Sequence, residues 1–501
     1  MPPRGDRVLV IGAGMGGLAA AADLARAGCA VTVLERGGAP GGKMRRVEAG
    51  GQPIDAGPTV FTMRWIFDSL FEAAGRSLED FVTLHKAQTL ARHAWAQGGR
   101  LDLFADIEAS AEAIGDFAGA GEARGYRTFC QRSAAIFATL KDTYIAAQRP
   151  NPVELVARCG LGQLGALWRT APFSTLWREL HRYFSDPRLR QLFGRYATYC
   201  GSSPLAAPAT LMLVAHVEQD GVWLVDGGIH NIAKAMQRLG EAQGAAYRYN
   251  SHVSRILTKG GRASGVELDS GEVLEADAIV FNGDISALAT GLLGHPARRA
   301  GRPVPPAARS LSAVTWCLKA RTRGFPLLHH TVFFAEDYPR EFARVFKDRT
   351  VTDRPTVYIC AQDRAMTDNA AAPEGAERLL MLINAPADGD RAEAGLPPQA
   401  ALGERTFGLL ADCGLEVDQD PTASITTTPQ GFEALFPASG GALYGRANHG
   451  AMGSFARPGA ASKLPGLYLA GGSAHPGPGV PMAAMSGRLA AARLLQDSDG
   501  D

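Results

Sequence analysis

Apolar residues fall in short unbroken blocks near both ends of the chain and again in its middle. Val8 to Ile11 is the first, and a run of this kind predicts a strand buried on both faces. Gly12-Ala13-Gly14-Met15-Gly16-Gly17 follows at once. Leu18, Ala21, Ala22, Leu24 and Ala25 then recur at helical spacing until Gly28. "AVTVLE", residues 30 to 35, predicts the next strand. The middle of the chain repeats the theme. Residues 223 to 284 predict a helix over about 229–242, a strand ending near Tyr249, and strands at 253–257 and 263–268. "DAIVF" then makes a buried strand that ends in polar Asn282 and Asp284. Near the C-terminus "LYLA" predicts a strand, Gly471-Gly472 opens a loop, and Pro481 begins a helix running to Leu495.

The first block could also read as a secretion signal, because Arg4 and Arg7 precede it. The four glycines interrupt it, however, and a charged amphipathic segment follows. No other stretch offers 18 uninterrupted apolar residues, so the chain is expected to be neither exported nor membrane-spanning. With 51 basic and 50 acidic side chains, nothing points to a nucleic-acid partner. The seven cysteines are scattered, with no CxxC pair, and read as reduced thiols of a cytoplasmic protein. His329-His330 is not expected to hold a metal, since successive strand residues point oppositely; no metal site is expected anywhere.

Strand, glycine turn, helix and strand together make the context in which GxGxxG carries meaning. Gly12 permits the tight turn, Gly14 lets the backbone approach a pyrophosphate, and Gly17 lets helix and strand pack closely. Glu35 is placed to accept hydrogen bonds from ribose hydroxyls. That much fits either a nicotinamide or a flavin dinucleotide. The next residues favour FAD: Gly41-Gly42-Lys43 and then Gly57-Pro58-Thr59-Val60 suggest backbone passing along an extended ligand, with Lys43 near the phosphates. Val253, Asn282 and Asp284 lie at strand ends where ligands gather in open α/β sheets. Gly471, Gly472, Val480, Pro481 and Met482 place a helix N-terminus, with its partial positive charge, beside the same ligand. His475, between Ala and Pro, reads as structural rather than as a base.

The pattern of Glu35 with Gly41-Gly42-Lys43, "VDGGIHNIAKAM", "NGD" and "GGSAHPGPGVP" resembles bacterial carotenoid desaturases of the phytoene desaturase type. Within that family the wording is most similar to the branch that desaturates 1-hydroxylated acyclic carotenoids in purple bacteria. The resemblance spans the chain, and "AHPGPGVP" is its most specific element. It implies an α/β fold with a Rossmann-like FAD-binding domain of the amine-oxidase/phytoene desaturase type. An α+β substrate domain is inserted non-contiguously. The FAD-binding part is expected from 1–75, 221–285 and 441–501, and the substrate and membrane-contact part from 76–220 and 286–440. It also implies a lipophilic substrate, a membrane surface, and an electron acceptor such as oxygen or quinone. One departure stands out: Ser473 follows Gly472 where many flavoproteins of this fold carry an acid. The fold also serves carotenoid isomerases, amine and protoporphyrinogen oxidases, and a flavin-free prenyl-protein chaperone.

Residues 154–184 mix Trp168, Trp177 and Phe184 with arginines, which suits either an amphipathic surface at a bilayer interface or buried helices. "DTYIAAQRPNP" and "DGDRAEAGLPPQ" read as loops, and "DSDGD" as a frayed tail. Asp142 is a candidate acid/base whose simpler reading is a surface residue.

Overall fold

The first strand, Arg7–Ile11, sits at the centre of a five-stranded parallel sheet of the protein, described here from a computed structural model. The structure describes residues 5–160, 162, 164–365, 373–391 and 395–500. Across that sheet the order is Leu467–Leu469, Ala278–Phe281, Arg7–Ile11, Ala30–Leu34 and Ala246–Arg248. Val10 pairs with Val280 on one side and Val33 on the other, and all three are fully buried. A sheet covered on both faces accounts for these uninterrupted apolar runs. The glycine-led helix Met15–Arg26 lies on it, with Gly28 just beyond its end at φ +91°. The C-terminal helix Val480–Gly500 packs along that first helix. Their crossing is close: a Cβ on Gly487 would lie 2.0 Å from the Gly16 carbonyl oxygen.

A second, seven-stranded mixed sheet draws its strands from elsewhere in the chain. Its order is Ser424–Thr427, Ser312–Ala320, Glu377–Ala385, Val357–Ala361, His330–Phe334, Thr89–Trp95 and Arg100–Phe104. Helices between residues 107 and 220 cover one side, around a core rich in Phe129, Phe184, Phe193 and Phe334. Val253–Lys259, Arg262–Leu268 and Val273–Glu275 form a small antiparallel sheet.

The expected elements appear near their expected bounds, with three differences. The acidic tail is not frayed, because the last helix continues to Gly500 and Asp497 accepts a hydrogen bond from Tyr468 at 3.0 Å. The segment after Leu140 is not loop from its start; Lys141–Ile145 makes a π-helical turn first. In 154–184 both readings hold in part. Leu176, Leu180 and Phe184 are buried, whereas Trp168 and Phe173 are 73% and 75% exposed; Leu161 and Gln163 lie outside the described residues. No helix among the described residues is long and apolar enough to cross a membrane.

Candidate functional site

A single cavity of about 1050 Å³ runs from the edge of the parallel sheet to the face of the seven-stranded one. Eighteen of the expected cofactor residues line it, from Gly12 and Glu35 through Gly41-Gly42-Lys43, Gly57 to Val60, Val253, Asn282 and Asp284 to Gly471-Gly472 and Val480 to Met482. Gly17 alone stands behind it. A Cβ there would lie 2.1 Å from the Gly12 carbonyl oxygen, so its part is the close approach of helix and strand.

The glycines make a floor that a side chain would fill. A Cβ on Gly14 would meet the Asn282 amide nitrogen at 2.8 Å, and one on Gly16 would meet the Gly471 nitrogen at 2.7 Å. Asn282 holds the turn by donating from Nδ2 to the Gly12 carbonyl. Gly14 and Gly41 are bridged backbone to backbone, which brings the second glycine pair onto the first. No side chain caps the helix that begins at Met15, and its first turn has no acid. Its free N–H groups therefore face the cavity and suit a pyrophosphate.

Glu35 lines the cavity at the end of the second strand. Its carboxylate accepts from the Ala13 N–H at 2.8 Å and the Gly37 N–H at 2.7 Å, which fixes it while leaving lone pairs for ribose hydroxyls. The backbone of Ser251, two residues before Val253, donates to the Glu35 carbonyl. At the C-terminal loop, Ser473 replaces an acid with a bracing role: its hydroxyl accepts from the Ile285 N–H and donates to the Gly283 carbonyl. Asp284 caps the helix Ile285–Thr290 through the Ser286 N–H.

Lys43 takes a different position from the expected one. Its ammonium leaves the glycine cradle and donates to the Leu443 carbonyl at 2.6 Å, over the Phe436 ring. Burial lowers its pKa. Arg457, 1% exposed and not singled out from sequence, braces the C-terminal loop from behind by donating to the Gly472 carbonyl at 2.9 Å. His475 is structural: Nε2 meets the Tyr144 and Ala147 carbonyls at 2.9 and 3.0 Å. Asp142 is exposed on its π-helical turn and does not line the cavity.

A model of the family described as flavin containing amine oxidoreductase matches residues 15–495. The chain belongs to that family. This amine oxidoreductase family member is 54% identical over 499 residues to a hydroxyneurosporene desaturase of Rubrivivax gelatinosus, covering 99% of this chain and 95% of that one. It is 47% identical to the protein of that name from Cereibacter sphaeroides, with 98% of each chain covered. These relatives place it in the carotenoid desaturase branch. Among solved structures it is similar to an oxidoreductase from Methanosarcina mazei, with TM-score 0.59, 18% identity and coverage of 98% and 100%. It is also similar to a fatty acid isomerase from P. acnes, with TM-score 0.56, 13% identity and 97% of both chains covered. At such identities the likeness concerns the fold.

In this family member the far part of the cavity is floored by the seven-stranded sheet. Thr315, Leu382, Tyr358 and Val332 sit in one register row across four strands, and all four line it. Leu211, Leu213, Val214 and Val217 close the other side. Tyr358 joins the two parts, since its hydroxyl is 2.6 Å from Thr59 Oγ1 and 2.7 Å from His330 Nδ1. The carboxylates lining the cavity are Glu35 and Asp284, both at the glycine end. No carboxylate among the described residues lines the apolar part.

The alternation argument for His329-His330 does not apply in the structure. His329 lies just before the strand that starts at His330, so strict alternation does not apply. One ligand atom of each, together with Cys360 Sγ, lies within 4.8 Å of the others. His329 is satisfied there, through Nδ1 on the Arg364 carbonyl and Nε2 at 3.5 Å from Cys360 Sγ.

Proposed function

We propose that this chain is an FAD-dependent desaturase of acyclic carotenoids bearing a hydroxyl at C1, forming the 3,4 double bond from a CH₂–CH₂ unit. The observation that carries the reading is one continuous cavity joining a glycine cradle to an apolar chamber, in a chain 54% identical end to end to a hydroxyneurosporene desaturase. FAD, when bound, would supply the two-electron acceptor that no side chain provides, taking a hydride at N5 while the second hydrogen leaves as a proton. The protein binds and orients. Gly14, Gly41 and the start of the first helix would hold the pyrophosphate, Glu35 the ribose, and the loop from Gly471 to Met482 the ring end. The sheet face with Val332, Leu380 and Leu382 would hold the polyene and exclude water. No carboxylate among the described residues lines the apolar part, so charge left on the substrate would be spread along the polyene until the proton passes to water at the cavity mouth.

In this reading 1–75, 221–285 and 441–501 form the FAD-binding unit, and 76–220 with 286–440 the substrate unit. The enzyme would work at the cytoplasmic membrane surface, where its substrate dissolves. Trp168 and Phe173, exposed with ring centroids 5.8 Å apart, would supply the contact. Electrons would pass on to oxygen or a quinone.

The test is to incubate purified protein with a panel of carotenoids and with amines, under each acceptor, reading flavin bleaching and product spectra. A longer polyene chromophore from the hydroxylated carotenoid is the expected result. Bleaching by amines instead would refute the reading, and protein that stays colourless with added FAD would point to a carrier without flavin.

A further inference from the structure

Arg195 presents a problem that a purely apolar polyene tunnel would not create. It begins the turn Arg195–Cys200, lines the cavity, and has no carboxylate within salt-bridge distance among the described residues. Its protein hydrogen bond is a single one, from Nη2 to the Tyr199 hydroxyl at 3.3 Å. Nε is buried and unpartnered, and Nη1 has no partner among the described residues. Its charge is balanced by the Tyr199 ring, 5.2 Å from the guanidinium, and by Glu218, which accepts from Tyr199 and, at 2.8 Å, from Tyr196; its donors are left over. A cation removed from water with most of its five donors unused is costly unless something fills them.

The surroundings show what kind of group that is. Tyr338 and Tyr444 also line the cavity; the Tyr444 ring packs against Gly201, which ends the turn that Arg195 begins, and the Tyr338 ring lies 6.3 Å from that of Trp177, which packs on Gly194 beside Arg195. The Tyr338 hydroxyl is buried without a partner, and that of Tyr444 has none among the described residues. Arginine only donates, whereas a tyrosine hydroxyl can also accept. The set therefore offers several donors to one oxygen and an acceptor for one hydrogen, which is the complement of an alcohol.

Position agrees with this. Arg195 lines the same cavity as Tyr358, whose hydroxyl holds Thr59 at the cofactor part. Tyr444 follows Leu443, whose carbonyl receives Lys43, and its ring packs against Gly201. The polar set thus stands where the glycine-lined and apolar parts meet. A hydroxyl at C1 is three bonds from C3, roughly 3–4 Å. Its receptor must lie beside the reacting carbons, and a polar group at the remote end of the tunnel could not serve.

We propose that Arg195, with the free hydroxyls of Tyr338 and Tyr444, forms the subsite that binds the substrate's C1 hydroxyl and selects hydroxylated over unhydroxylated polyenes. The inference rests on the carotenoid desaturase reading above. Binding the oxygen there sets C3 and C4 in register, so the same contact serves specificity and position. Leaving these donors empty penalises the wrong substrate more than an apolar wall could.

The experiment compares kcat/KM for a 1-hydroxylated carotenoid and its unhydroxylated counterpart in the same vesicles, with flavin content read by absorbance. The wild type should prefer the hydroxylated form by ~10²-fold or more. Arg195→Met should bring that ratio to within ~10-fold while keeping its flavin, and Arg195→Lys should restore part of it through a single point-charge donor. Tyr338→Phe removes a hydroxyl that bonds nothing in the protein, so it tests the subsite even if the arginine variant fails to fold; the ratio should fall. A ratio unchanged in Arg195→Met and Tyr338→Phe overturns the inference and leaves the desaturase reading intact. Equal loss on both substrates in Arg195→Met, with flavin lost, assigns Arg195 to the scaffold and also overturns it. A wild-type ratio near one would instead overturn the hydroxylated-substrate reading, and this inference with it.

Discussion

At the scale of single residues, Gly14 is where the proposed cofactor cradle can be tested most directly. A Cβ there already meets Asn282 at 2.8 Å, and the two methyl groups of valine would project further into the floor. Gly14→Val should therefore give folded protein of normal circular dichroism that purifies without flavin; normal flavin content in that variant would show the cradle to be misassigned. Glu35→Ala should be milder, weakening FAD by ~1.5–3 kcal/mol in a titration because it removes hydrogen bonds without blocking space. His475 makes a different kind of statement. Burial holds its pKa down to about 4, below the ordinary 6.5, so the folded protein keeps the ring neutral. The folded form thus binds a proton less readily than the unfolded one. The contribution is fully present above pH 6.5 and is lost as pH falls through about 4. His475→Gln should flatten the pH dependence of the unfolding free energy between those values by on the order of 3 kcal/mol, and an unchanged slope would mean another group sets it.

Elements differ in how openly the sequence announces them. The cradle was legible because its glycines, strand and helix lie within 30 residues and each glycine answers a local steric demand. The receptor around Arg195 was not legible. Its members come from a turn at 195, a helix at 338 and a loop at 444, and each alone is an ordinary interior aromatic or arginine. The alternation argument for His329-His330 does not apply because alternation holds only inside a strand, and His329 falls one residue outside. The segment from Pro152 to Leu180 shows how an average misleads. Its last helix, Leu176–Leu180, packs inward on Leu176 and Leu180, and the stretch before it presents Val153, Trp168 and Phe173. An exposed aromatic pair with Arg169 next to Trp168 in sequence suits a bilayer interface. The protein should float with anionic liposomes, and Trp168→Ser with Phe173→Ser should reduce the bound fraction at least several-fold. Equal flotation of that variant would move the contact elsewhere.

For the whole molecule, the order of strands in the parallel sheet has a consequence for how the protein is made. Arg7–Ile11 emerges first but needs Ala278–Phe281 as its neighbour, and that strand in turn needs Leu467–Leu469. At ~5–20 residues per second on the ribosome, the first strand and its helix wait tens of seconds for the last helix that covers them. Throughout that interval an apolar edge stands open to other nascent chains. The final thirty residues then act as the latch. Until Gly471 reaches Asn282 and Gly487 settles on Gly16, there is a nucleotide fingerprint but no binding site. A chain stopped before residue 466 should accumulate as insoluble, colourless protein, however intact its N-terminal motif.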